Sequence, residues 1–306
     1  MPLAVFEEDR CGPGSLALVF AAHGTIVTAQ ELARTLPETP GRGVLSVDML
    51  IAARERGFDA ALVAGSGELL LREVTAGRPA ILMLRLLNAP GAKRDVFHYV
   101  VADGADPGRG LLRFQFGDGR ARWAPLTDVD GSWKPVGRAL LLVRARDDTD
   151  AAMERAVSLE KGDRPREAEA LYREVLLVRP ESVRAWVNLG NVTAGQGRRT
   201  DAETAYRRAL AVAPEDRDAL NNLAWLLRDE PARLEEAEAL AARAAALPGE
   251  DRPLALDTLG RIQAARGRCG EAVATLREAL EARPLLDATR RSLLDGLALA
   301  EACVAR

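Results

Sequence analysis

Glu8-Asp9-Arg10-Cys11-Gly12-Pro13-Gly14-Ser15 runs directly into the apolar stretch Leu16 to Ala22. The pattern predicts a thiol on the first turn of a helix. Pro13 suits a helix start, where a missing N–H is no loss, and Leu16, Val19 and Phe20 supply an apolar face. Unpaired amides and the positive end of the helix dipole favour a thiolate at that place. A cysteine nucleophile is built this way without metal or cofactor. It needs a base, and the chain has 2 histidines. His23 lies twelve residues further along the same helix, about 18 Å away at 1.5 Å per residue, too far to pair. That leaves His98, in the strand-like Phe97-His98-Tyr99-Val100-Val101.

The surrounding segments read as helices first and strands after. Residues 12–76 look helical: Thr28-Ala29-Gln30-Glu31 is a capping box, Ser46 caps a helix from Val47 to Arg56 that Gly57 stops, and Glu68 to Thr75 forms another. From Pro79 the period changes. Ile81 to Leu84, Val96 to Ala102, Leu111 to Phe116, Arg120 to Pro125 and Ala139 to Val143 read as strands between Gly/Asp-rich turns. Helices followed by an antiparallel sheet are an α+β layout.

Asp9-Arg10-Cys11-Gly12-Pro13-Gly14, then Pro40-Gly41-Arg42-Gly43 leading into Val47-Asp48-Met49-Leu50, then Phe97-His98-Tyr99-Val100-Val101 resemble the papain-clan cysteine peptidases of the bacteriocin-processing, double-glycine-leader type. The resemblance implies a papain-like domain over 1–146, with Cys11 as nucleophile and His98 as general base. It also implies a peptide substrate; acyl transfer to another acceptor would use the same dyad.

The chain departs from that family at two positions. The oxyanion glutamine expected five or six residues before the cysteine is replaced by Val5 and Phe6. Losing one such donor costs about 100- to 1000-fold in rate. The residue that orients the histidine is also unsettled. A hairpin of 96–102 and 111–116 puts Gln115 or Phe116 across from His98, with Asp118 a little further along. Asp118 and Gln115 are therefore alternative third members of the site. Glu7, Glu8 and Asp9 beside Cys11 tend to raise its pKa.

A second architecture begins near Thr149. Ala168, Tyr172 and Pro180 recur 34 residues later as Ala202, Tyr206 and Pro214, with weaker copies at Ala237, Leu240 and Pro248 and at Ala272, Leu276 and Pro284. Each unit reads as two amphipathic helices, with a small residue for close approach and a proline ending the second. Trp186-Val187-Asn188-Leu189-Gly190 through Pro214 resembles the tetratricopeptide pattern. Four units over 149–284 and a capping helix over 285–306 are expected, with a longer inter-helix turn at Asp229-Glu230-Pro231. The whole is then an α+β papain-like domain followed by an all-α solenoid. The resemblance implies a protein- or peptide-binding arm. Asn188, Asn191, Asn221 and Asn222 stand where one subgroup grips a peptide backbone, whereas Leu254 and Thr258 replace the basic residues that clamp its terminal carboxylate.

Composition bounds the rest. With 42 basic and 45 acidic residues in 306, neither half has the basic excess that nucleic-acid binding requires. No segment reaches the ~20 apolar residues of a membrane span, and no signal peptide is evident, so a cytoplasmic location is expected as written. A leader upstream of the given sequence would move the protein to the periplasm or envelope. Cys11, Cys269 and Cys303 are too few and too widely spaced for a disulfide framework or a zinc knuckle. No metal or cofactor is expected.

Overall fold

The structure is a computed structural model that describes residues 11–37, 44–86, 96–282 and 285–305. It divides into two units, one running to Ala152 and taking in Leu177–Arg179, the other comprising Met153–Leu176 and Pro180–Arg306.

The first unit is organised by the alternation of side chains along its strands. In β2 (Ala80–Leu86), Ile81 and Met83 face one apolar layer while Ala80, Leu82 and Leu84 face another. A strand covered on both faces reads as a continuous apolar run. Six antiparallel strands form the sheet in the order β1-β6-β2-β3-β4-β5: β1 (Phe58–Ala64), β2, β3 (Val96–Asp106), β4 (Leu111–Gln115), β5 (Ala121–Pro125) and β6 (Ala139–Ala145). On one face lie α1 (Cys11–Ala22), α2 (Ala29–Thr35) and α3 (Ser46–Glu55), with Leu16, Phe20, Leu32 and Met49 buried against Val101 and Leu141. On the other, α4 (Gly67–Thr75) and α5 (Leu126–Trp133) bury Leu70 and Trp133 against Leu82, Val100 and Phe114.

Several local expectations hold. Thr28 and Glu31 form the capping box at α2, with Thr28 N–H donating to Glu31 Oε2 at 2.8 Å. Three need correction. Residues 12–76 are not wholly helical: Phe58-Asp59-Ala60-Ala61-Leu62-Val63-Ala64 is strand β1, paired with β6. Ser46 is not the cap of α3. The N-cap is Leu45, whose amide donates to Asp48 Oδ2 at 3.3 Å, and this frees the serine hydroxyl. Helix begins before Thr149, because β6 ends at Ala145 and α6 (Arg146–Lys161) starts at the next residue.

From α6 onward the chain is helical: α7 (Pro165–Val178) follows α6, and then α8 (Val183–Gly195) packs with α9 (Arg199–Val212), α10 (Arg217–Leu227) with α11 (Leu234–Ala246), α12 (Arg252–Ala265) with α13 (Cys269–Glu281), and α13 with α14 (Asp287–Val304). The longer turn expected at Asp229–Pro231 is present, with a 3-10 turn over Pro231–Arg233. Gly190 shows why close approach needs a small residue: a Cβ there would sit 2.3 Å from the Tyr206 ring. Charge adds a second period. Glu169, Glu203 and Glu238 on α7, α9 and α11 pair with Arg198, Arg233 and Arg268, each the N-cap residue of the next repeat's second helix. The scattered-cysteine expectation is also corrected, since Cys269 on α13 and Cys303 on α14 form a disulfide with Cα atoms 5.5 Å apart.

Candidate active site

Cys11 is the first residue of α1 and is partly buried. Gly12 behind it is hemmed in: a Cβ would lie 3.2 Å from Met49 Sδ and 3.5 Å from both Tyr99 Cδ2 and Val44 Cβ. A glycine there lets the helix start press against β3 and the entry to α3. The same corner is tied by Tyr99, whose hydroxyl donates to the Val44 carbonyl at 3.2 Å and accepts from Ser46 Oγ at 2.8 Å. This is where the hydroxyl freed from helix capping is used.

The structure brings Cys11 and His98 together. The two side chains lie close enough that each shifts the other's ionisation, and the backbone amides of Tyr99 and Gly12 act on the sulfur as well. Burial pushes the Cys11 thiol up, but the His98 hydrogen bond, the Tyr99 amide, the imidazolium charge and the Gly12 amide outweigh it, so its pKa falls below the ordinary value. His98 moves the opposite way. Burial pulls it down, while the bond to Cys11, the thiolate charge, the Phe116 carbonyl and the charge of Asp118 raise it above the usual histidine value. Opposed shifts of this kind favour a thiolate–imidazolium pair.

The third position differs from both sequence alternatives. His98 Nε2 lies 2.9 Å from the carbonyl oxygen of Phe116. Gln115 is paired with Val101, three residues beyond His98 along β3. Its side-chain amide is buried and donates to Asp103 Oδ2 at 2.6 Å, and Asp103 is also held by Arg113 at 2.8 Å. Asp118 makes its bonds to the Arg122 guanidinium and the Arg120 amide, the latter at 3.1 Å. It influences His98 through charge alone. A backbone acceptor leaves no mark in residue identities, and only the turn after Gln115 hinted at it. Val5, Phe6, Glu7, Glu8, Asp9 and the Pro40-Gly41-Arg42-Gly43 motif lie outside the described residues. His23 accepts a separate role, with Nε2 3.1 Å from the Val143 carbonyl.

The repeat-borne asparagines engage one another and neighbouring tyrosines. Asn191 Oδ1 accepts from Tyr206 Oη and from Asn222 Nδ2, both at 2.9 Å. Asn221 Nδ2 donates to Asn222 Oδ1 at 3.4 Å, and Asn188 lies near Tyr172. The first helices α8 and α10 are thus linked by side chains of the kind expected to grip a peptide. Among the described residues no group of three His, Cys, Asp or Glu side chains is placed to hold a metal, and no helix is long and apolar enough to cross a membrane.

Residues 153–254 match the family described as the cilia and flagella-associated protein 70 middle TPR-like domain. The C-terminal half therefore contains a tetratricopeptide-like domain. Among solved structures, the chain is similar to PilW, a widely conserved type IV pilus biogenesis factor, at 23% identity and TM-score 0.42 over 52% of this chain and 78% of that one. It is also similar to YrrB, a TPR protein with an unusual peptide-binding site, at 21% identity and TM-score 0.39 over 50% and 84%. The peptidase domain of Streptococcus ComA, a bifunctional ABC transporter of a quorum-sensing pathway, is similar at 19% identity and TM-score 0.38 over 47% and 96%. No curated protein matches the chain.

Proposed function

We propose that the first unit is a papain-like cysteine-peptidase domain and that the repeats are its peptide- or protein-binding arm. The observation that carries this reading is Cys11 on the first turn of α1 near His98, whose Nε2 is committed to the Phe116 carbonyl, together with the opposed pKa shifts of the two side chains. A carbonyl oxygen only accepts, so Nε2 carries the proton given to Phe116, and Nδ1 is the nitrogen free for sulfur. The Cys11 thiolate attacks the scissile carbonyl carbon, and the C=O electron pair moves to oxygen. Collapse breaks the C–N bond as the imidazolium gives its Nδ1 proton to the leaving amine. Water then attacks the thioester, losing a proton to Nδ1, and the acid leaves as the thiolate reforms.

A second reading, a peptide-binding adaptor that does not cut, is favoured by Val5 and Phe6 at the positions where the resembled family places its oxyanion glutamine. The test is hydrolysis of a randomised peptide library by the full chain, by Cys11→Ala and by Phe6→Gln. Cleavage lost in Cys11→Ala and raised in Phe6→Gln supports the peptidase. Binding of library peptides without cleavage by any of the three supports the adaptor. For location, the Cys269–Cys303 disulfide favours the periplasmic or envelope alternative, because disulfides persist in oxidising compartments.

A further inference from the structure

Phe116 meets His98 twice. Its carbonyl oxygen accepts the Nε2–H at 2.9 Å, and its ring lies nearly parallel to the imidazole, 6° between planes with centroids 6.4 Å apart. The first contact fixes one ring nitrogen, and the second constrains the plane about that bond. Beyond it, the Arg122 guanidinium carbon lies 4.9 Å from the centroid of the Phe116 ring. Arg122 is held in turn by Asp118, four residues earlier, and Asp118 closes its own turn on the Arg120 amide. Side chains of both Arg122 and Asp118 are exposed, so as an isolated pair they would stabilise the fold little. Their placement against an aromatic ring that itself contacts the base gives the pair a use that stability does not.

We propose that Phe116, Arg122 and Asp118 are positioning residues: Asp118 holds Arg122, Arg122 covers the Phe116 ring, and Phe116 orients the His98 imidazole toward Cys11. The proposal rests on the peptidase reading of the dyad. It gives the acidic residue a function at second remove, where a directly bonded carboxylate is absent. A planar guanidinium stacks on an aromatic face in a way that an ammonium does not, so the arrangement asks for arginine in particular.

Two effects of Arg122 have opposite signs, and this makes the proposal testable. The charges that act on His98 are those of Cys11 and Asp118. If Arg122 mattered only as a charge, its removal would unmask Asp118, favour the imidazolium and so favour the thiolate. If it holds the stack, its removal loosens the ring and weakens the thiolate. The measurement is the rate of Cys11 alkylation by iodoacetamide as a function of pH in the full chain, where the other two cysteines are joined to each other. Arg122→Ala, Arg122→Lys and Phe116→Leu are each expected to move the alkylation midpoint to higher pH and to lower the rate near pH 6.5 several-fold, with His98→Ala moving it further. Phe116 is partly buried, so Arg122→Ala serves alone if Phe116→Leu misfolds. A midpoint unchanged or lowered in Arg122→Ala, while His98→Ala raises it, overturns the stack and leaves the dyad intact. A wild-type midpoint in Arg122→Lys overturns the stack, since an ammonium then serves as well as the planar guanidinium. No response to His98→Ala removes the dyad, and the stack with it.

Discussion

His98 gives its Nε2–H to the Phe116 carbonyl oxygen at 2.9 Å, and that bond decides the ring's tautomer. A neutral imidazole donates from one nitrogen and accepts at the other. With Nε2 committed to a carbonyl, Nδ1 is left unprotonated and ready to take the thiol proton. A neutral acceptor stabilises the resulting imidazolium less than a carboxylate does, so much of that burden falls on the Cys11 thiolate itself.

The first prediction concerns that thiolate. The Cys11 pKa is lowered, so the rising limb of its alkylation profile should lie below the ~8.5 of a free cysteine. His98→Ala removes the hydrogen bond and the imidazolium charge but not the burial, which alone raises the pKa. The midpoint should then climb to the free-thiol value or above it. Stopped-flow alkylation from pH 4 to 10 checks this; a wild-type midpoint at the free-thiol value would exclude the ion pair.

The second prediction concerns packing between paired helices. An added methyl at Gly190 would overlap the Tyr206 ring, with contacts of 2.3, 2.6 and 2.8 Å to three of its carbons. Gly190→Ala should therefore destabilise the second unit by about 1–3 kcal/mol, the usual cost of overpacking, despite alanine's better helix propensity. Thermal melts followed at 222 nm read the loss. A melting temperature equal to or above wild type would show that α8 and α9 slide apart freely.

How far the chain could be read from its residues follows from the range over which each signal acts. The capping box at Thr28 and Glu31 is complete within four residues and was legible. The repeat was legible because Ala168 and Tyr172 return at a fixed interval. Strand β1 was not: Asp59, Ala60 and Ala61 are poor strand formers, and their partner is β6, some eighty residues away. Cys11 and His98 stood out because a helix-start thiol needs a base and only one histidine was placed to serve. The acceptor for His98 was hidden, since any residue at position 116 offers a carbonyl. The hairpin register was hidden too, because Gln115 pairs with Val101, three residues beyond His98. The Glu169, Glu203 and Glu238 ladder could have been found by the same periodicity that exposed the repeats.

The third prediction concerns the last helix. Cys303 fastens α14 to the first residue of α13, closing a loop of 34 residues. Loop-closure entropy for that length corresponds to about 3–4 kcal/mol, with measured values often lower. Cys303→Ala, or reduction with dithiothreitol, should free α14 first. Hydrogen exchange should then accelerate across 287–304 while the sheet of the first unit keeps its protection. Unchanged exchange in α14 would mean that Leu293 and Ala300, both fully buried, hold the helix without the bond.

The fourth prediction concerns acid. Arg233 holds the Glu203 carboxyl down at about 2; burial opposes this, and Arg207 assists. The pKa is lower in the folded state than the ordinary 4.5, so the group stabilises the fold above pH 4.5 and loses that contribution as the pH falls toward 2. Glu203→Gln should then melt below wild type at pH 7, and the gap should close between pH 4.5 and 2, because protonation removes from the wild type what the mutation has already removed. Arg233→Ala should show the same convergence, since its loss frees the same carboxylate. Glu169, lowered chiefly by Arg198, adds a parallel acid-sensitive pair one repeat earlier. A constant gap between Glu203→Gln and wild type across that range would show that the ladder acts through packing of its long side chains and not through charge.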